Sequence, residues 1–103
     1  MLSLNSFPSL LASGQAFSRD LRKEEPRNAS ERLAGYELGA RCLDRCRATI
    51  LRWQGTYTFN CPMDQEFLTK ASLDADEFKT FVATGASDAK VEDWIRRRSR
   101  KAA

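Results

Sequence analysis

One block in the middle of the chain, Gly55-Thr-Tyr-Thr-Phe-Asn-Cys-Pro-Met-Asp64, concentrates residue types that could do chemistry. It places a thiol (Cys61), a proline and a carboxylate (Asp64) at what reads as a helix start. Backbone N–H groups and the helix dipole favour a thiolate at such a position, which would suit redox chemistry or nucleophilic attack. The chain contains no histidine to act as a base, and no Cys-x-x-Cys supplies a resolving partner. A cysteine before proline is also an ordinary capping and packing choice. Cys61 is therefore a candidate nucleophile without a completed reaction centre.

A second set is built on arginine. Arg41, Arg45 and Arg52 recur along one face of the helical stretch before the block, with Asp44 and Arg47 round its side. Together with Arg27 and Arg32 they could form a pocket for a carboxylate or phosphate, which forked guanidinium donors suit. The alternative is a solvated face laced with ion pairs to Glu31, Glu37 and Asp44. Candidate ligand-binding residues are thus Arg27, Arg41, Asp44, Arg47, Tyr57, Asn60, Cys61 and Asp64.

A third set closes the chain: Arg96, Arg97, Arg98, Arg100 and Lys101. Net charge is +3, and these five cations leave −2 on everything else, so the basic character belongs to this tail. Such a tail could hold nucleic acid through phosphates. It lacks interleaved aromatics, however, and reads more simply as a helix end whose cations complement the dipole. A metal site from Cys42, Cys46 and Cys61 would need Asp44 or Asp64 as fourth ligand, and the spacing is not that of structural zinc. No metal and no cofactor are implied.

The elements that must position these residues read as helices. Asn28 with Glu31 resembles a capping box, and Leu33, Tyr36, Ala40, Leu43 and Ile50 recur at helical intervals. A long helix over about 30–53 is predicted, with Gly35 and Gly39 as a possible break that would move its start near Glu37. Gly55 should end it as a left-handed residue. Residues 56–60 read as a short extended link with Tyr57 and Phe59 on one side. Either Cys61 caps the next helix, with Pro62 first, or Asp64 does. Asp74 and Glu77 open another helix bearing Phe78, Phe81 and Val82, which Gly85 stops; Ser87 or Asp88 caps the last, with Val91, Trp94 and Ile95 inward. The expected fold is all-α, a compact bundle of about four helices joining Leu43, Ile50, Phe67, Phe78, Phe81, Val91 and Trp94.

With 103 residues, 42% hydrophobic and 30% charged, the composition is that of one small globular domain. Residues 1–19 read as a poorly ordered leader, 20–95 as the domain and 96–103 as the tail. No signal peptide or membrane-spanning run is evident, so the cytoplasm is the expected compartment. Three cysteines make no disulfide framework.

Taken in order, Pro26-Arg27, Gly35-Tyr36, Asp44-Arg-Cys-Arg47-Ala48, Gly55-x-Tyr57-x-x-Asn60-Cys61-Pro62-x-Asp64 and Gly85-x-x-Asp88 before Trp94 resemble a family of small bacterial proteins. It is the family catalogued as domain of unknown function five-zero-six-nine. The resemblance spans about Asp20 to Trp94 and implies a domain boundary and a motif, but no reaction. The chain departs from that pattern at Gly39-Ala40, Phe59, Arg45 (where lysine is usual) and Thr56; Cys42 and Cys46 lie outside the motif. The leading functional reading is a small non-catalytic binding or accessory module for a protein or an anionic ligand. The alternatives are a thiol-dependent enzyme or redox-sensitive protein centred on Cys61, and weak non-specific nucleic-acid binding through the tail. No membrane partner is expected.

Overall fold

Left-handed backbone, more than helical periodicity, decides where the first of the four helices begins. The structure, a computed structural model, describes residues 17–102, with side chains through Ser99. Ala34 and Gly35 both have positive φ (54° and 87°), and Leu33 and Tyr36 exchange two backbone hydrogen bonds of 3.0 Å. That is a two-residue hairpin turn, which requires φ > 0 at both central positions. The chain from 30 to 38 is therefore not helical, although its apolar spacing predicts a helix. Asn28 caps nothing there; its side chain accepts from the Ser30 N–H and hydroxyl in a local turn.

The helix starts only after Leu38, at φ 70°, and runs Gly39–Leu51 (α1). Gly39 is needed for close approach. A Cβ there would sit 2.8 Å from the Leu33 Cβ and 3.0 Å from the Phe67 ring. Glu37 lies before the helix begins, so the alternative start near that residue is two positions too early. At the other end Arg52 takes the left-handed conformation expected of Gly55 (φ 62°), and the Trp53 N–H donates to the Ala48 carbonyl at 2.7 Å. This six-to-one bond closes the helix before Gly55 is reached. The link 52–61 contains turns and no strand, and the isolated pairing seen among the described residues is Leu33–Tyr36.

Three shorter elements follow. Pro62–Lys70 (α2) has Pro62 first and Cys61 as the N-cap, without a cap bond from its thiol. Ala75–Val82 (α3) starts at Asp74, whose carboxylate accepts from the Glu77 N–H at 3.0 Å. Asp88–Ala102 (α4) follows Ser87, whose hydroxyl accepts from the Lys90 N–H. The basic segment from Arg96 is continuous with this helix. The result is a mainly α fold of four helices among the described residues, and none of them is long and apolar enough to cross a membrane.

α1 packs against both α2 and α3. Leu43, Phe67, Phe78, Val91 and Trp94 are buried as expected, while Ile50 and Phe81 lie half-buried against that core. Aromatic edges join the helices: Phe67 meets Phe78, Phe78 meets Trp94, and Phe81 stacks on Trp94 with centroids 5.1 Å apart. Such pairs stabilise beyond the area they bury. Cys42 and Cys46 are fully buried in the same core. Four charged residues also lie inside, namely Asp44, Arg45, Arg47 and Asp64. Buried charges survive only when partnered, and their partners define two centres.

Candidate functional site

α1 contributes a charged side chain to each centre, Arg45 to one and Asp44 with Arg47 to the other, because these positions project from different sides of one helix into the chains packed around it. On one side Arg45 meets Asp64 of α2. The guanidinium donates through Nε at 3.1 and 3.2 Å and makes a further close bond through Nη2. Asp64 is wholly buried and also accepts from the Asn60 backbone N–H at 2.9 Å. Burial works against the charged Arg45, but the hydrogen bonds and charge of Asp64 outweigh it and raise the guanidinium above its ordinary value. Burial, then the same carboxylate, pushes the neighbouring Cys42 thiol well up; Cys46 is raised by burial. This centre is a structural clamp between α1 and α2. Arg45 is therefore not on a solvated face, contrary to its reading from spacing alone.

Residues at the block's centre serve the same clamp. Asn60 takes a left-handed turn (φ 65°) that aims its N–H at Asp64, and its carbonyl accepts from the Gln65 amide. Cys61 is half-buried at the head of α2. Tyr57 lies apart, its ring beneath the Arg41 guanidinium at 5.9 Å. Among the described residues no group of three His, Cys, Asp or Glu side chains converges as metal ligands would.

The second centre draws from more distant positions. Arg27 wraps Asp44: its backbone N–H donates at 2.8 Å, its Nη2 at 2.9 Å and its Nε at 3.1 Å. Arg27 Nη1 reaches on to Asp88 at 2.7 Å, and Arg47 Nη1 donates to the other Asp88 oxygen at 2.8 Å. Arg47 Nη2 is anchored on the Ala86 carbonyl at 2.8 Å. Arg41 braces the segment by donating to the Arg27 carbonyl, and Arg19 stands 3.9 Å from Asp44. The Phe17 ring lies 5.5 Å from the Arg47 guanidinium, in cation–π range. Over this cluster opens a cleft of about 430 Å³ lined by Arg19, Arg27, Arg47, Asp88 and Phe17 among others.

Burial alone would raise the Asp88 carboxyl; the hydrogen bonds and charges of Arg27 and Arg47 overcome it and hold the group below the ordinary carboxylate range. Three guanidinium groups, Arg19 at the rim with Arg27 and Arg47, face two carboxylates, so the lining of the cleft carries one excess positive charge. The eight predicted ligand-binding residues thus divide: Arg27, Arg41, Asp44 and Arg47 belong to this cluster, while Asn60, Cys61 and Asp64 gather at the clamp and Tyr57 lies under Arg41. Asp88 and Arg19 complete the cluster and were not among the predicted site residues. The signal for Asp88 was present in Gly85-x-x-Asp88, where it read as a helix cap.

A family model described as Domain of unknown function (DUF5069) matches residues 23–103. The chain belongs to that family. No curated protein matches it. The match starts close to the expected boundary but runs on through the basic segment. Of the residues quoted above for the resemblance, Arg27, Asp44, Arg47 and Asp88 meet in one centre, and Asn60 and Asp64 in the other.

Of the predicted nucleic-acid residues, Arg96, Arg97 and Arg98 sit exposed on the DUF5069 domain's last helix. Arg96 faces Glu92 at 3.9 Å, Arg97 pairs with Asp93 at 3.1 Å, and Arg98 reaches Glu77 at 2.7 Å while its guanidinium lies over the Trp94 ring. Arg100 and Lys101 have side chains outside the described residues, as does the leader up to residue 16.

Proposed function

We propose that this protein is a small binding module, without catalysis, that accepts a carboxylate or phosphate group in the cleft over Arg27 and Arg47. The observation that carries this reading is convergence. Arginines from the N-terminal segment and from α1 meet at the start of α4 in an open cleft with excess positive charge. Guanidinium forks held in place by protein partners bind oxyanions with little ordering cost. Arg27 is fixed by Asp44 and Arg47 by the Ala86 carbonyl, so both forks are preset. The bacterial cytoplasm is the proposed setting, supported by three free cysteines of which two are thiols sealed in the core. The pairing of Arg96, Arg97 and Arg98 with acids supports a solvated helix end over a nucleic-acid arm.

Titration calorimetry of the full chain at low salt tests the proposal, with inorganic phosphate in one arm and acetate in the other. Saturable binding of either is expected. Arg19→Ala, at a half-buried rim position, should weaken it without altering the circular dichroism spectrum. Absence of binding in both arms, by the wild type and by a variant relieved of the Asp88 carboxylate, would refute the reading.

A further inference from the structure

Asp88 already does to the two arginines what a ligand carboxylate would do. One of its oxygens accepts from Arg27 Nη1 at 2.7 Å and the other from Arg47 Nη1 at 2.8 Å, so a single carboxylate spans both forks. Its surroundings differ from those of Arg47 and Asp44. The side chains of Arg47 and Asp44 are each 2% exposed and held by further bonds, Arg47 to the Ala86 carbonyl and Asp44 to the Arg27 backbone. The Asp88 side chain is 43% exposed and lines the cleft. It can swing outward by a χ1 change without disturbing the core. As the first residue of α4 it stays beside the positive end of the helix dipole in either rotamer.

Resting on the anion-site reading above, we propose that Asp88 is a built-in competitor that occupies the Arg27–Arg47 fork until a carboxylate or phosphate displaces it. The consequence is a site tuned to weak, readily reversible binding. An incoming anion must replace two charge-assisted hydrogen bonds already made. The class of ligand follows from the span: a group presenting two oxygens on one centre, able to bridge two guanidinium groups as Asp88 does. A ligand with a single acceptor oxygen would satisfy one fork and leave the other bare.

The experiment compares the full-length wild type with Asp88→Asn, titrating inorganic phosphate and acetate. Asp93→Asn removes the same charge from an exposed position of the same helix, away from the fork, and serves as control. Asp88→Asn should bind about tenfold more tightly, the equivalent of one charge-assisted hydrogen bond released, while Asp93→Asn should match the wild type. Binding by Asp88→Asn alone also supports the proposal, as a site the wild-type carboxylate keeps shut. If the wild type binds and Asp88→Asn gains nothing, or Asp93→Asn gains as much, the competitor role is wrong and the anion site stands. If neither protein binds, the site itself is refuted. Should Asp88→Asn lose its helical signal, Asp88→Ser, which keeps an oxygen at the head of the helix, takes its place with the same expectations.

Discussion

Removing the Asp64 carboxylate is the sharpest perturbation the fold offers, because it strands a charge rather than deleting a contact. Asp64 is wholly buried, and Arg45, its partner, has a side chain only 4% exposed. In Asp64→Ala the guanidinium keeps its charge but loses the acceptor for both Nε and Nη2. Breaking a buried pair from one side costs about 3–5 kcal/mol. The Asn60 N–H also loses its acceptor, but Asn60 is exposed and can turn to water, so that loss is minor. Against a total stability of about 5–15 kcal/mol, a loss near 4 is a large fraction. It corresponds to a fall in Tm of roughly 15–30 °C for a domain of this size. Urea titration followed by tryptophan fluorescence and by circular dichroism would measure it. The double variant Arg45→Met/Asp64→Leu removes both charges and should recover most of the loss, since apolar replacements of buried pairs are often neutral. A loss below about 1 kcal/mol for Asp64→Ala, or a double variant no more stable than the single, would refute the clamp.

Three further outcomes follow from the same geometry. In the native protein Cys61 should alkylate readily while Cys42 and Cys46 stay protected until unfolding, since burial both hides these two thiols and pushes them up; two or more fast thiols by mass spectrometry would contradict this. Truncation after Ile95 should cost about 1–2 kcal/mol in urea, not the near-zero expected of a surface tail, because the Ser99 hydroxyl donates to the Ala71 carbonyl and meets the Tyr36 hydroxyl. An unchanged midpoint would show that these bonds carry nothing. Because Asp88 is lowered in the folded state, its pairing stabilises above the ordinary carboxylate range and is lost as pH falls through the depressed folded value. The stability difference between wild type and Asp88→Asn should therefore shrink on acidification, and a constant gap from neutral to acid would overturn the assignment.

Much of this architecture was legible in one dimension. The stripes of Phe78 with Val82 and of Val91 with Trp94 and Ile95, together with Asp74 as cap and Pro62 as first helical residue, depend on neighbours within a turn or two. Local periodicity and capping chemistry therefore sufficed to give an all-α fold of four helices with most of its core. The start of α1 was not legible. Residues 30–38 have helical spacing, but Leu33 packs into the notch left by Gly39 and against Phe67, and that contact favours a hairpin turn over another helical turn. Propensity yields where tertiary packing gains more.

The charged residues divide in the same way. That arginine and aspartate recur on α1 is plain in the sequence, and so is the cysteine–proline helix start. Which arginine meets which acid was not. Arg45 with Asp64 is a separation of 19 residues, Arg27 with Asp88 one of 61, and Arg47 with Asp88 one of 41. Nothing in local spacing distinguishes a guanidinium bound for solvent from one bound for the core, because helix faces are assigned by apolar neighbours and these positions border them on both sides. The sequence by itself determined which helices exist and which cations are available. Only tertiary packing, by desolvating Arg45 and Arg47 and obliging each to find an acid, decided which of them form a clamp and which frame a cleft.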